Sequence, residues 1–137
     1  MLADTPLNGG PSQRANEIKS LHHNFQINDI KTEMMAQKFK NRIVINITQC
    51  QSFGSILDIR KDEGQMMNVS SDIGISVRFL LGEQHPIYKI LANKIGETVF
   101  RETELPVLLT LALKDKTTDM FKTIMLKIAE IDVWSIF

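Results

Sequence analysis

The chain has 137 residues, of which 43% are hydrophobic, and its 16 basic residues balance its 16 acidic ones. A chain of this length forms one domain that buries roughly two thirds of its unfolded surface. The balanced charge gives no reason to expect nucleic acid or another polyanion as a partner. No apolar run approaches the ~20 residues of a membrane span, and Met1 to Pro11 lacks the pattern of a signal peptide. The lone Cys50 cannot form an internal disulfide, which favours a reducing compartment. We therefore expect a soluble protein that is located in the cytoplasm, with the nucleus as a further possible location.

The first fourteen residues have the composition of a tail. Pro6, Gly9, Gly10 and Pro11 are turn and linker residues. Chain termini of this kind are commonly mobile. The sequence therefore predicts a mobile tail over 1–14, followed by a single domain over 15–137.

Four strands are predicted after the tail. Apolar and polar residues alternate from Leu21 to Ile27, which is the period of a strand with one face on a core. Asn28-Asp29 then joins this strand to a weaker strand candidate in a short hairpin. The next strand places Ile43, Ile45 and Ile47 on one face, and a glycine-containing turn leads to the fourth. These strands span 21–27, 31–39, 42–48 and 55–60.

Strands and helices alternate in the second half of the chain. Ile73 to Leu81 alternates as a fifth strand, and Pro86 stands in the first turn of an amphipathic helix. The nearly continuous apolar run from Leu105 to Leu113 predicts a strand covered on both faces. A second amphipathic helix follows, with Asp115 or Thr117 available as its N-cap. We assign to the core Phe79, Leu108, Leu111 and Trp134.

These elements predict an α+β fold. Their order is five strands, a helix, a sixth strand and a helix, and the short connections between the first strands favour largely antiparallel pairing. Periodicity leaves open whether the strands form one sheet or split into a sandwich.

Residues that could carry chemistry are few. His22 and His23 are adjacent in a strand, so they point to opposite faces and cannot chelate one metal ion together. Asp58, Asp62 and Glu63 are the plausible carboxylate group near a loop, but no serine, histidine or glycine motif accompanies them. We therefore predict no enzymatic activity, no metal site and no cofactor. The alternative, an enzyme that uses these carboxylates, would require a concave pocket around them.

One long connection, Lys61 to Asp72, lacks hydrophobic periodicity. Such loops in compact domains are usually functional or disordered. Its two methionines are flexible apolar side chains that could anchor the loop on the core or provide an adaptable contact surface. We predict that the loop binds a partner, with a solvated linker as the alternative. The predicted partner-binding residues are Lys61, Asp62, Glu63, Met66 and Met67.

The second helix carries a wide apolar face. That face is wider than one contact with a sheet needs, and exposed strand edges also invite pairing. The sequence therefore predicts a homodimer of the isolated chain. The candidate interface residues are Met120, Phe121, Ile124, Met125 and Ile128.

Several segments resemble one known family in their order and spacing. They are the run Val77 to Glu83, the helix PIYKILANKI, the strand end LLTLALKDK, the pair Val133-Trp134, the opening Asp4 to Leu7 and the hairpin RIVINITQCQSFGSILDI. Together they resemble the eukaryotic proteasome assembly chaperone 3 family. None of the segments is a catalytic signature, so the resemblance depends on their co-linear order.

The resemblance implies a six-stranded, sandwich-like core with two flanking helices. It also implies a non-enzymatic chaperone that binds proteasome α subunits and promotes assembly of the α-ring of the proteasome core. Its expected partner is a related small chaperone, proteasome assembly chaperone 4. A general protein-interaction adaptor on the same scaffold is the alternative, because a fold does not fix a function.

Overall fold

The computed structural model describes residues 19–49, 54–62 and 74–130; the predicted tail, Cys50 and Trp134 lie outside them. Six strands and two helices follow in the predicted order, so the α+β class is confirmed. The elements are β1 (Lys19–Ile27), β2 (Ile30–Lys38), β3 (Ile43–Thr48), β4 (Ser55–Lys61), β5 (Ile75–Leu81), α1 (Pro86–Val99), β6 (Val107–Ala112) and α2 (Thr118–Glu130).

The six strands lie in a single sheet, in the order β1-β2-β3-β6-β4-β5. Neighbouring strands pair antiparallel except at the centre, where β3 and β6 run parallel. The mainly antiparallel pairing that the sequence predicts is therefore confirmed. Strand β6 enters the middle of the sheet although it is the last strand in the chain, and β1 and β5 form the two edges.

The β1–β2 hairpin shows how local sequence sets register. Asn28 and Asp29 have φ angles of 52° and 65°. Positive φ at both central positions is the geometry of the two-residue turn that matches the twist of a hairpin, and Asn and Asp tolerate it better than most residues. The turn places Ile27 opposite Ile30.

The core lies between one face of the sheet and both helices. Helix α1 packs on β4, β5 and β6, and it also contacts α2. Alternate residues of the strands form one buried cluster with the apolar faces of the helices. The cluster includes Ile45, Leu57, Leu109, Leu91 and Ile124.

Side chains cap the starts of both helices. His85 Nδ1 accepts a hydrogen bond from the Ile87 backbone N–H at 3.1 Å, directly before Pro86. At α2, Thr117 Oγ1 accepts from the Met120 N–H at 3.2 Å. The structure thus selects Thr117 from the two predicted cap residues.

Strand β6 corrects one prediction about the core. Val107, Leu109 and Leu111 are fully buried, whereas Leu108 and Thr110 between them are half-buried. The strand is covered on one face because both helices lie on that side. The assignment of Leu111 to the core is confirmed, and that of Leu108 is wrong. Phe79, on the edge strand β5, is partly buried and packs against the core cluster.

Candidate protein-interaction surfaces

The side of the sheet opposite the helices, here called the uncovered face, has no described element packed over it. Its residues alternate along each strand with those of the core. With the exception of Ala112, every described strand residue on this face is half-buried or exposed. Within the described residues, the uncovered face is therefore an extended surface with half-buried and exposed side chains.

Strand pairing aligns side chains of the uncovered face in rows that cross the sheet. One row contains Gln37, Val44, Leu108, Asp58 and Arg78, each directly opposite the next. A second row contains His22, Met35, Asn46, Thr110 and Ile56. The first row thus places two apolar side chains on the central strands and charged groups towards the β5 edge. An apolar centre with polar surroundings is the usual anatomy of a protein-protein interface.

Charged groups on the uncovered face form two clusters. Arg60 Nε donates to Asp58 Oδ2 at 2.7 Å, and Arg78 Nη2 lies 4.0 Å from the same oxygen. Near the opposite edge of the same face, His22 Nε2 lies 2.9 Å from Glu33 Oε2. The first cluster thus lies on β4 and β5, and the second on β1 and β2.

Of the predicted partner-binding loop, only Lys61 and Asp62 lie among the described residues. Lys61 Nζ lies 3.4 Å from Glu104 Oε2, and the Asp62 backbone N–H donates to the Gly74 carbonyl at 2.8 Å. This backbone bond joins the two ends of segment 63–73 beside the start of β5. The other predicted contact residues, Glu63, Met66 and Met67, lie outside the described residues, so the binding role of the loop stays a prediction.

Most of the apolar face of helix α2 packs against the core of the same chain. Met120, Ile124 and Ile128 are buried in the core. Phe121 and Met125 are partly buried against that core. Of the five predicted dimer residues, only these last two keep surface for a partner, and their role stays a prediction.

The structure also exposes apolar residues that the sequence analysis did not select. Leu126 on α2 is 72% exposed, and Leu80, Leu81 and Ile90 are also among the exposed large hydrophobic residues. Leu126 lies off the periodic apolar stripe of its helix. Only its apolar character among polar neighbours could have identified it.

Asp58 and Asp62, two of the three carboxylates considered for catalysis, do not line the depression that the structure shows beside the β1–β2 hairpin, and Glu63 lies outside the described residues. That depression, about 970 Å³ in volume, is lined by residues of the β1–β2 hairpin, by Thr48 and Gln49 and by Lys114, and its carboxylates are Asp29 and Glu33. Within the described ranges, no three metal-ligating side chains cluster, and no helix is long and apolar enough to cross a membrane.

A buried polar network forms part of the lining of this depression. Gln49 Nε2 donates to Thr32 Oγ1 at 3.1 Å, and Gln49 Oε1 accepts from the Lys114 backbone N–H at 3.0 Å. Gln49 Nε2 also lies 3.3 Å from the Met120 sulfur. Because the amide already has internal partners, this network fastens β2, β3 and α2 together and leaves Gln49 no unmet need for a ligand.

Comparison with known proteins links this chain to a family. A family model described as Proteasome assembly chaperone 3 matches residues 45–131, more than half of the chain. The chain is 24% identical over 105 residues to a protein named Proteasome assembly chaperone 3 from Nematostella vectensis, covering 72% of this chain and 78% of that protein. A protein of the same name from Bos taurus is 27% identical over 109 residues, covering 77% and 85%.

The fold also has a counterpart among solved structures. The chain matches one chain of a crystal structure of a novel chaperone complex for yeast 20S proteasome assembly, with a TM-score of 0.62. The match covers 83% of this chain and 97% of that chain, at 14% sequence identity. At this identity, the likeness shows that the two chains share a fold.

Proposed function

Because the chain belongs to the proteasome assembly chaperone 3 family, we propose that it acts without catalysis as a chaperone in proteasome assembly. In this proposal it binds proteasome α subunits and pairs with a related small chaperone. The family match supports the process, and the uncovered face is the structural observation that supports pairing.

A partner bound to the uncovered face would cover the side of the sheet that the two helices leave open. Val44 and Leu108 stand side by side at the centre of the sheet, half-buried and without a described element above them. A second sheet packed about 10 Å away would remove such side chains from water, as in a β-sandwich. A related chaperone would supply that sheet in the working complex, and a second copy would do so in isolation.

We propose the loop at Lys61 to Asp72 as the contact for the α subunit. Its described residues, Lys61 and Asp62, lie at one end of the sheet, where the Asp62 N–H donates to the Gly74 carbonyl. A subunit could reach this end while a partner occupies the uncovered face. Holding subunits through separate sites would raise their effective concentration for each other, and moderate affinity would permit later release.

Alanine substitution of Asp62, Met66 and Met67 together tests the subunit contact. We expect weaker capture of α subunits, with the melting temperature and the pairing unchanged. A variant with alanine at Lys89, Lys94 and Lys122, exposed residues of the two helices, is the matched control. If the triple variant captures α subunits as well as the parent, the loop is a connector and does not contribute to binding.

Substitution of Leu108 by Arg tests the pairing surface. The change places a charge at the centre of the uncovered face, so we expect it to prevent dimerisation and pairing with the related chaperone. Thr118→Arg at the exposed start of α2 is the control, and light scattering gives the mass. A parent chain that remains a 15.6 kDa monomer at micromolar concentration contradicts the homodimer.

The adaptor alternative has a different outcome in affinity purification. Recovery of proteasome α subunits from a lysate of the source cell supports the chaperone. Recovery of other complexes without α subunits supports a general adaptor.

A further inference from the structure

Two arginines share one carboxylate on the uncovered face. Asp58 of β4 is directly opposite Arg78 of β5 in the antiparallel pairing, and Arg60 lies two residues farther along β4 on the same face. Arg60 Nε donates to Asp58 Oδ2 at 2.7 Å, whereas Arg78 Nη2 is 4.0 Å from that oxygen. Asp58 is therefore committed to Arg60, and Arg78 is held close by without a short hydrogen bond.

The side chain of Arg78 is also far more exposed to solvent than that of Asp58. The Asp58 side chain is 12% exposed, and that of Arg78 is 72% exposed. Among the described residues, no other carboxylate lies within ion-pairing distance of Arg78. Its guanidinium group therefore points most of its donors to solvent, where it can form the paired hydrogen bonds that arginine makes with a carboxylate.

The cluster adjoins the apolar centre of the uncovered face. Asp58 is directly opposite Leu108, which in turn is opposite Val44. A partner that covers these apolar residues would also draw the neighbouring Arg78 away from water. A cation that loses its water without gaining an anion weakens association strongly.

We propose that Arg78, supported by Arg60, selects the chaperone partner by binding a carboxylate on the partner's facing sheet. This proposal rests on the pairing through the uncovered face that is proposed above. The occupant is a related small chaperone with an Asp or Glu at the matching position, and the ion pair sets both its identity and its register.

A second copy of the same chain is a poor partner for Arg78. The charged strand residues on the uncovered face are Lys31, Glu33, Asp58, Arg60 and Arg78, which carry a surplus of positive charge. Both carboxylates already have partners in their own sheet, Glu33 with His22 and Asp58 with Arg60. Two identical faces therefore bring surplus positive charge together, whereas an acidic partner removes the conflict. Selection of a partner commonly combines such an attraction with a repulsion between wrong partners.

The test compares pairing with a second copy and pairing with the related chaperone. Purified full-length chain is titrated with the proteasome assembly chaperone 4 homologue of the same cell, and self-association is measured in parallel. The variants are Arg78→Glu and Arg78→Gln, and the matched control is Arg101→Glu, an exposed arginine in the turn after α1. Arg78→Gln keeps a long polar side chain without placing a second negative charge beside Asp58.

We expect Arg78→Glu to weaken the heterodimer at least tenfold and Arg78→Gln several-fold, with Arg101→Glu within twofold of the parent. Self-association should strengthen for Arg78→Gln, which removes the surplus positive charge of each face, and should change little for Arg78→Glu, so the preference for the related chaperone falls. Raising the salt concentration should weaken the parent heterodimer more than the Arg78→Gln heterodimer. Replacing the matching acidic residue of the partner by arginine should restore pairing with Arg78→Glu.

Four results would overturn the proposal. If Arg78→Glu pairs at parental affinity while Leu108→Arg abolishes pairing, the uncovered face is the interface but Arg78 does not select the partner. If Arg78→Glu weakens the homodimer and the heterodimer equally, Arg78 does not select between them. If Arg101→Glu weakens the heterodimer as much as Arg78→Glu does, the effect is not specific to Arg78. If Leu108→Arg and Arg78→Glu both pair like the parent, the interface lies elsewhere and the proposed pairing fails as well.

Discussion

The hydroxyl group of Tyr88, in the first turn of α1, accepts a hydrogen bond from the backbone N–H of Leu113 at 3.0 Å. Both residues are buried, so this bond fastens the start of the helix to the end of β6 without help from solvent. The Lys116 ammonium group lies 6.0 Å from the centre of the same ring.

Tyr88→Phe should lower the free energy of unfolding by about 1–3 kcal/mol, because it keeps the ring but leaves a buried N–H without its acceptor. Urea unfolding measures the change. Thr98→Ala is the control, since its hydroxyl bonds to the Lys94 carbonyl on the exposed side of α1. Equal stability of Tyr88→Phe and the parent would mean that the Leu113 N–H finds another acceptor.

Leu111 and Leu108 lie three residues apart on β6 and should respond differently to truncation. Leu111→Ala empties a fully buried site and should cost about 2–5 kcal/mol of unfolding free energy. Leu108→Ala should cost the monomer less, because its side chain is half-buried, and should weaken pairing instead. Thermal unfolding and light scattering separate the effects; a Leu111→Ala protein with parental stability would contradict the central position of β6.

Gly54 and Gly96 offer a comparison of close contacts. A Cβ atom at Gly54 would lie 2.0 Å from the Leu111 carbonyl oxygen, which is backbone of the central strand. A Cβ atom at Gly96 would lie 3.1 Å from a methyl group of Ile59, which can shift. Gly54→Ala should therefore destabilise the protein by at least the ~1–3 kcal/mol typical of overpacking, and Gly96→Ala by less. The reverse order in urea unfolding would show that the strand backbone yields more readily than the core side chains.

The His85 cap predicts a graded series at the start of α1. His85→Ala removes the acceptor for the Ile87 N–H and should cost about 0.5–2 kcal/mol, as for other caps. His85→Asn supplies a new oxygen acceptor and should recover most of that loss. Chemical denaturation gives both values, and an asparagine variant as unstable as the alanine variant would assign the role of His85 to packing.

Much of this fold follows from local sequence. The alternation from Leu21 to Ile27, the Asn28-Asp29 turn and Pro86 each determine structure through neighbours in the chain, and the corresponding elements form as predicted. Local patterns do not specify which strands pair across long separations. The parallel contact of Ile45 with Leu109 joins residues far apart in sequence, and no period in the sequence indicates it.

The same limit explains the errors about burial. Leu108 has the apolar character of a core residue, yet it lies on the uncovered face. A strand that is covered by helices on both sides and a strand that is half free for a partner can have the same apolar composition. For α2, the apolar stripe gives no measure of how much of it the chain's own sheet occupies, and Ile124 is in fact buried there.

The candidate site was only partly accessible to sequence reasoning. The absence of periodicity predicts a binding loop after Lys61 from a local signal, and that role stays a prediction. The cluster of Asp58 and Arg78 depends on the register between β4 and β5, which a bulge at Ile56 and Leu57 modifies. Neither the pairing of these strands nor the bulge can be derived from the spacing of charges in the chain.

The late position of β6 in the chain has a consequence for biosynthesis. Until residue 112 has left the ribosome, β1–β3 and β4–β5 are two separate antiparallel units, and the strands that later flank β6, β3 and β4, have open edges. The sheet then closes by long-range pairing, which is slow and leaves apolar edges exposed to aggregation while it proceeds. We therefore expect the nascent chain to be most prone to aggregation in the interval before β6 takes its place between β3 and β4.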